Sequence, residues 1–346
     1  VIVPTGIATD DTNKHFFGWL VEHGRLVSLF DFQNKEGLFP AVLSLIKFSL
    51  LTIRGSDSRQ RGFTAAFFLL RPGELREDGR RFTLTAEEIA LLNPNTHTCP
   101  IFRTARDAEI TKRIYRAAPV LVREGPPEVN PWGVTFKTLF HMSNDSHLFR
   151  TRRALEDAGY ALGTDGRFRG HGECWLPLYE AKMIHQFDHR FATYEGGPAE
   201  DRTRDVTPAE HADPGFVPLP RYWVEEREVE RAVGCRRAEH PGWFIGFRDI
   251  TNATNERTAI FSVVPWAGVG NSLPIFLLED ANPRQVAGLL ANLCALVFDF
   301  PTRQKTGGTH LNFFIVKQLP VLPPETYTPA LLEEIVPRVL ELVYTA

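Results

Sequence analysis

The sequence predicts an α/β protein of the α+β kind, and three observations carry that reading. Apolar runs of strand length alternate with helix-period segments over the first 55 residues. From about residue 131 the pattern becomes short strands, long loops and many aromatics. Between them lies Glu124 to Pro131, rich in Pro and Gly, which reads as a linker or domain boundary. The expected organisation is therefore 1–55, a connecting α/β segment 56–130, and 131–346.

In order, Val1-Ile2-Val3 reads as a strand ended by Pro4 and Gly6. Thr12 or Asn13 caps a helix carrying Phe16, Phe17, Leu20 and Val21, which stops at Gly24. Arg25 to Phe32 and Lys47 to Ile53 are strands, the second apolar enough to be buried on both faces. Phe63 to Leu70 is a further strand. Thr85-Ala86-Glu87-Glu88 opens a helix with a capping box, and Asp107 to Arg116 forms another, with Ile110 and Ile114 one turn apart and Arg106, Lys112, Arg113 and Arg116 around it. Gly196 to Pro220 is acidic and Pro-rich and reads as an exposed loop. Ile275 to Leu278 is expected as a strand, Pro283 to Phe298 as a mostly apolar helix and Phe313 to Val316 as a short strand. Pro329 to Tyr344 is expected as a closing helix with Leu332, Ile335, Val339 and Leu342 on one face.

A chain of 346 residues, 43% hydrophobic and 23% charged, can hold two domains with a substantial core. Cys99, Cys174, Cys235 and Cys294 are far apart without a Cys-x-x-Cys pair, so neither a zinc ribbon nor a secreted disulfide framework is suggested. No stretch reaches the roughly 18 apolar residues of a membrane helix, the best run, Phe39 to Ile53, being interrupted by Lys47. No signal peptide opens the chain, which reads as cytoplasmic with no membrane partner. It starts Val1-Ile2-Val3-Pro4 with a strand already under way, as a piece of a longer protein does. The net charge of −3 neither supports nor excludes nucleic acid, because only a cleft has to neutralise phosphates.

Three polar clusters stand out. The first is Tyr179-Glu180-Ala181-Lys182-Met183-Ile184-His185-Gln186-Phe187-Asp188-His189-Arg190. On a helix, His185, Asp188 and His189 would share a face suited to zinc or iron. Glu180 and Lys182 with Asp165 upstream form a short match to the Mg²⁺-binding half of a nuclease centre. The same mix of Lys, His, Gln and Arg also offers donors to base edges and phosphates, and equally describes a solvated face. The second cluster, Arg248 to Arg257, has the Asn and Arg density of bidentate base readout and also that of an Asx-turn hairpin. The third, Thr302 to Asn312, is basic, carries no acid and has a Gly pair that lets backbone approach phosphate, without P-loop spacing. No Gly-rich turn of a class I methyltransferase is visible. Asn93-Pro94-Asn95-Thr96 lacks the ring that an Asn-Pro-Pro-Tyr/Phe motif would stack on adenine, and reads as a turn after a helix.

Val3-Pro4-Thr5-Gly6-Ile7-Ala8-Thr9-Asp10 with Phe16-Phe17, followed by Leu29-Phe30-Asp31-Phe32-Gln33-Asn34, resembles the segment after the catalytic motif of large adenine-specific DNA methyltransferases. These are the enzymes of single-chain type II restriction–modification systems and of BREX-like phage-exclusion systems. Leu92 to Thr96 with Pro100 to Arg103, and Leu178 to Arg190, are similar to later blocks of that group. Arg248 to Thr251 and Gly308 to Pro320 are similar to blocks of target recognition domains, the last also to specificity subunits of type I systems.

The resemblance implies that residues 1–55 finish a Rossmann-like methyltransferase sheet and that 131–346 form a target recognition domain. It implies S-adenosylmethionine as cofactor of the full-length enzyme, with no cofactor and no catalytic residue in this chain. Double-stranded DNA is the implied partner, along with other restriction or defence subunits. The DNA contacts it implies are Lys182, His185, Gln186, Arg190, Arg248, Asn252, Asn255, Arg257, Arg303, Lys305 and His310, with Asn and Gln for adenine, Arg for guanine and Lys305 for phosphate. Two other classes stand beside it: a Mg²⁺-dependent nuclease using Asp165, Glu180 and Lys182, and a protein-docking module of a defence complex.

Overall fold

In the computed structural model, which describes residues 1–55, 60–195, 202–278 and 282–344, the chain is mixed α+β and divides into two units. The first comprises Val1–Asn130, Phe300–Gly308 and Phe313–Leu322; the second comprises Pro131–Asp299, Thr309–Asn312 and Pro323–Ala346.

The first unit is built on one sheet. Its elements are β1 (Ile2–Pro4), α1 (Gly6–Thr9), α2 (Lys14–Glu22), β2 (Leu26–Gln33), β3 (Lys47–Ile53), β4 (Gly62–Leu69), β5 (Phe82–Thr85), α3 (Ala86–Leu92) and α4 (Ala105–Ala117). The strand order is β1-β3-β2-β4-β5, so the sheet continues well past residue 55. β2 pairs antiparallel with β3, Leu29 opposite Leu51, and parallel with β4, Leu29 opposite Ala65. Leu29, Leu51, Phe63 and Ala65 carry the apolar face onto Phe17, Leu20, Ile89 and Phe102. α2 stops where expected because Gly24 adopts φ +61°, which lets the amides of Gly24 and Arg25 reach back to Val21 and Leu20. The capping box at Thr85 is present, with Glu88 N bonded to Thr85 Oγ1 and Thr85 N to Glu88 Oε2. On α4 the buried residues are Ala108, Thr111, Lys112 and Tyr115; Ile110 and Ile114 are only half-buried, so the inner face is rotated from the expected one.

The second unit holds β6 (Val134–Lys137), β7 (Phe149–Arg150), α5 (Arg152–Asp157), β8 (Ala161–Leu162), β9 (Phe168–Gly170), β10 (Glu173–Tyr179), β11 (Ala192–Tyr194), β12 (Thr203–Asp205), α6 (Pro208–His211), β13 (Trp223–Glu225), α7 (Glu226–Val233), β14 (Trp243–Phe247), β15 (Phe261–Pro265), β16 (Gly268–Val269), β17 (Ile275–Leu278) and α8 (Pro283–Cys294). Its sheets run β7-β13-β10-β9-β8, with β16 beside β10, and β15-β14-β17-β6. Leu176, Val224, Phe244, Val264, Trp266 and Ile275 fill the main core.

Four expectations differ from the structure. The apolar run Pro283 to Phe298 is not one helix: Ala295 is extended, and α9 (Leu296–Lys305) starts afresh. Phe313 to Val316 is helical, within α10 (Phe313–Lys317), because its Ile315 and Val316 bury together, and an apolar run this short carries no period that tells strand from helix. Within Gly196 to Pro220, residues 202 onward contain β12, paired with β11, and α6 capped by Thr207; residues 196–201 lie outside the described residues. The closing helix α11 (Pro329–Val343) buries Leu332 and Val339 but leaves Leu342 exposed. Among the described residues all four cysteines are free thiols, and no single helix is long and apolar enough to cross a membrane.

Candidate nucleic-acid interface

The first polar cluster is not helical. His185 N donates to Asp188 O (2.7 Å) and Asp188 N to His185 O (3.0 Å), closing a tight turn with Gln186 and Phe187 at its tip. Phe187 sits at φ +65°, a strained position for an aromatic residue, and its amide donates to Phe261 O on β15 (3.0 Å). Asp188 Oδ1 accepts from Arg190 N (2.7 Å). The shared face of His185, Asp188 and His189 therefore does not exist, and among the described residues no three His, Cys, Asp or Glu side chains gather as metal ligands. Burial, reinforced by Arg248, lowers the pKa of His185, and burial brings His189 down to about 4, so both rings are neutral at pH 7.

Several expected DNA contacts in this turn serve the fold instead. Arg190 is buried, and its guanidinium donates to the carbonyls of His211 (2.7 Å), Asp213 (3.1 Å) and Phe216 (2.9 Å). Gln186 Nε2 donates to Cys294 O (2.8 Å). Arg248 Nε donates to Ile184 O (2.8 Å), and its guanidinium lies 5.4 Å from the Phe191 ring, on which His185 also packs (4.7 Å). Such donors, spent on backbone carbonyls, hold the turn rigidly against β14 rather than reaching outward.

From Arg248 the second cluster continues as a loop. Leu311 N donates to Asp249 O (2.7 Å), Thr251 N to Thr309 O (3.0 Å), and His310 Nδ1 pairs with Asp249 Oδ2 (2.8 Å). Thr251 Oγ1 closes the loop base on Thr258 O (2.7 Å). Asn252 Oδ1 accepts from the amide and hydroxyl of Thr254 (2.9 and 3.0 Å), an Asx turn, so that part of Asn252 shapes the loop. Thr254, Asn255 and Glu256 form the exposed tip, while Arg257 is half-buried with one terminal nitrogen buried and unbonded. The loop rests on Asp299, which is 5% exposed and whose Oδ1 accepts from the amides of Thr258 (2.8 Å) and Ala259 (2.7 Å).

Sequence reasoning missed Asp299 and Phe191. Asp299 had a signal: a lone carboxylate inside the apolar run Gly288 to Phe300 must find buried donors or not be buried at all.

The third cluster is divided, Thr302–Gly308 belonging to the first unit and Thr309–Asn312 to the second. Lys305 is corrected: its ammonium donates to the carbonyls of Leu92 and Gln318 and lies 4.5 Å from the Tyr115 ring, all within the first unit. Burial pulls its pKa well below the ordinary lysine value, and no phosphate can take the place of those carbonyls without unmaking the fold there. Lys305→Ala is expected to cost about 1–3 kcal/mol in urea denaturation, because the Leu92 carbonyl loses the ammonium and the Gln318 carbonyl keeps only the Tyr115 hydroxyl (2.7 Å), while a desolvated charge is relieved. Unchanged stability with weakened DNA binding would restore the phosphate role. Arg303 is half-buried in the same unit.

Lys182 stays exposed, 4.6 Å over the Tyr194 ring and 3.8 Å from Glu180. The nuclease carboxylates are committed to different partners. Glu180 accepts from the Tyr194 hydroxyl, and Asp165 is held by Arg169 (2.5 and 2.9 Å), which brings its pKa down to about 2. The structure thus brings His185, Gln186, Arg190, Arg248, Asn252, Asn255, Arg257 and His310 onto one unit, with Lys182 just before the turn, and leaves Arg303 and Lys305 on the other.

Neither a protein-family model nor a curated protein matches the sequence. Among solved structures the chain is similar to the type IIG restriction endonuclease BpuSI, at 11% identity over 98% of this chain and 42% of that one, with a TM-score of 0.38. It is also similar to a structure of a type I restriction–modification system, at 12% identity over 69% of this chain and 47% of that one, with a TM-score of 0.27. The chain spans less than half the length of either.

Proposed function

We propose that this chain is the DNA-recognising part of an S-adenosylmethionine-dependent N6-adenine DNA methyltransferase of a restriction–modification or phage-defence system. The observation that carries the reading is the convergence of three polar segments, 184–191, 248–258 and 309–312, on one unit, with the 254–256 tip held out on buried Asp299. A rigid base under an exposed polar tip is what groove readout requires, since a base contact discriminates only when its geometry is fixed.

Asn255 at the tip reads adenine, Arg257 reads guanine, and Lys182 and His310 approach phosphate at the edge. Buried Arg190 and half-buried Arg248 and Gln186 set the geometry and touch no DNA. Methyl transfer belongs to residues outside these 346, because neither the Gly-rich cofactor turn nor Asn-Pro-Pro-Tyr/Phe occurs in them. The duplex is held here while adenine is flipped elsewhere, and other restriction or defence subunits are the natural protein partners.

The test is selection from a random duplex library by the purified chain at two salt concentrations. A short adenine-containing site should be enriched, with affinity falling as salt rises. Asn255→Ala should relax discrimination by about 1–3 kcal/mol at one position while leaving binding to scrambled duplex unchanged. Absence of binding at low salt would overturn the reading in favour of a protein-docking module.

A further inference from the structure

The outer face of α4 carries arginines that make no contact pair in the fold. Arg106, Arg113 and Arg116 are all exposed, and among the described residues none of the three has an ion pair or hydrogen bond. At 100° per residue they lie within about 80° of one another, opposite the buried Ala108, Thr111 and Tyr115. Glu109 shares their face, but its carboxylate is bound to Lys112, which also holds Glu88. That bond, before any effect of the arginines, keeps the Glu109 pKa low. The helix terminates its own amides through the Thr104–Asp107 capping box and needs no arginine for it.

A solvated helix face would balance its charges and respect the helix dipole. Arg116 in the last turn does so. Arg106 in the first turn opposes the dipole, and Arg113, one turn after Glu109, lends that carboxylate only a through-space charge while the contact pair is made by Lys112, so helix stability accounts for little of either. In a chain whose net charge is −3, an unpaired arginine stripe about 15 Å long is a local exception. Planar guanidiniums offer two parallel donors to a phosphate, and a DNA strand presents one phosphate about every 3.4 Å of its axis.

We propose that the α4 face binds the phosphate backbone of duplex DNA and supplies sequence-independent affinity from the first unit. This rests on the DNA-recognition reading above and extends it to residues outside the polar loops of the second unit. The contact is backbone only: three arginines on one straight helix face meet phosphates, and none is held by a neighbour in the fixed orientation that base readout demands.

The experiment is a fluorescence titration of the full chain with a random-sequence duplex over a series of NaCl concentrations. It compares Arg106→Gln/Arg113→Gln/Arg116→Gln with a charge-matched control, Arg153→Gln/Arg231→Gln/Arg338→Gln, whose arginines are equally exposed but paired to Asp157, Glu228 and Glu334. The α4 variant should show a log–log salt slope shallower by about 2–3 and at least about tenfold weaker binding at low salt, with the control near wild type. Arg106→Gln/Arg113→Gln, which keeps the dipole-compatible Arg116, should give about two thirds of that change, so a folding defect in the triple variant would not hide the effect. An equal loss in the control would overturn the proposal in favour of bulk charge. A wild-type slope in the α4 variant would also overturn it, leaving the face to an acidic protein surface while the recognition reading stands. Failure of the wild-type chain to bind duplex at low salt would overturn both.

Discussion

Asp299→Ala is expected to remove on the order of 3–5 kcal/mol of stability from the second unit and to abolish sequence discrimination. The carboxylate is 5% exposed and accepts from two amides, Thr258 N and Ala259 N, both on fully buried residues. Charge-assisted bonds of this kind contribute about 1.5–3 kcal/mol each, and their loss leaves two donors buried without acceptors. The effect reaches function through the loop, since Thr258 is also the residue on which Thr251 closes the loop base. With that base loosened, Asn255 loses its fixed position while exposed cations keep theirs. Urea denaturation should show the stability loss, and library selection should show salt-dependent binding with enrichment gone. Asp299→Asn keeps an acceptor oxygen in place and should recover most of both, which separates loop anchoring from a general need for a folded unit. If Asp299→Ala enriched the wild-type site unchanged, the loop would not be the reading element.

Parts of this were legible in the sequence. The apolar runs Lys47 to Ile53 and Ile275 to Leu278 are strands with those bounds, because short runs that include β-branched and aromatic residues suit a pleated, half-buried surface. The capping box at Thr85 was legible because both of its bonds are local. What could not be read was where long cations end. Lys305 is a donor in a basic, Gly-containing stretch, and only a carbonyl 213 residues away in sequence makes it a buried structural group. The same holds for Arg248, which finds Ile184 at a separation of 64 residues, and Gln186, which finds Cys294 at 108. Composition places such residues in a polar cluster; only long-range backbone positions decide whether they face a ligand or the fold. The 185–189 segment fails for another reason. Its i, i+3, i+4 spacing fits a helix, but the turn closed between His185 and Asp188, with Phe187 at positive φ, leaves no information in residue spacing.

A carboxylate in the first unit should make stability depend on pH in the opposite sense to most acids. Asp31 on β2 is 5% exposed; its Oδ1 accepts from the hydroxyls of Thr5 and Ser49 (3.1 Å for Ser49), and Lys47 and the Phe68 amide also favour its charge. Burial outweighs all of these and raises its pKa to about 6. Phe68 explains why a polar group stands there. The β2–β4 register jumps from Phe30–Ala66 to Phe32–Leu69, leaving Phe67 and Phe68 opposite Asp31, with Phe68 at φ +58° and its amide turned to the carboxyl. Because the folded pKa lies above the unfolded one, the folded state holds the extra proton between about pH 4 and 6. The Asp31 contribution to stability is then largest below pH 4, falls as pH rises through 6 and is flat above it, a total loss of about 3 kcal/mol, while buried His189 of the second unit, with its pKa brought down to about 4, contributes in the opposite direction over the same range. Asp31→Asn keeps an acceptor for Thr5, Ser49 and Phe68 without a charge to bury. It should be more stable than wild type at pH 8 by up to about 3 kcal/mol, less whatever its amide hydrogens lack in acceptors, and the difference between the two proteins should grow between pH 4 and 6. Urea denaturation of both proteins at pH 4, 6 and 8 tests this. A variant less stable than wild type at pH 8 would mean that the hydrogen bonds from Thr5, Ser49 and Phe68 outweigh the burial of the charge.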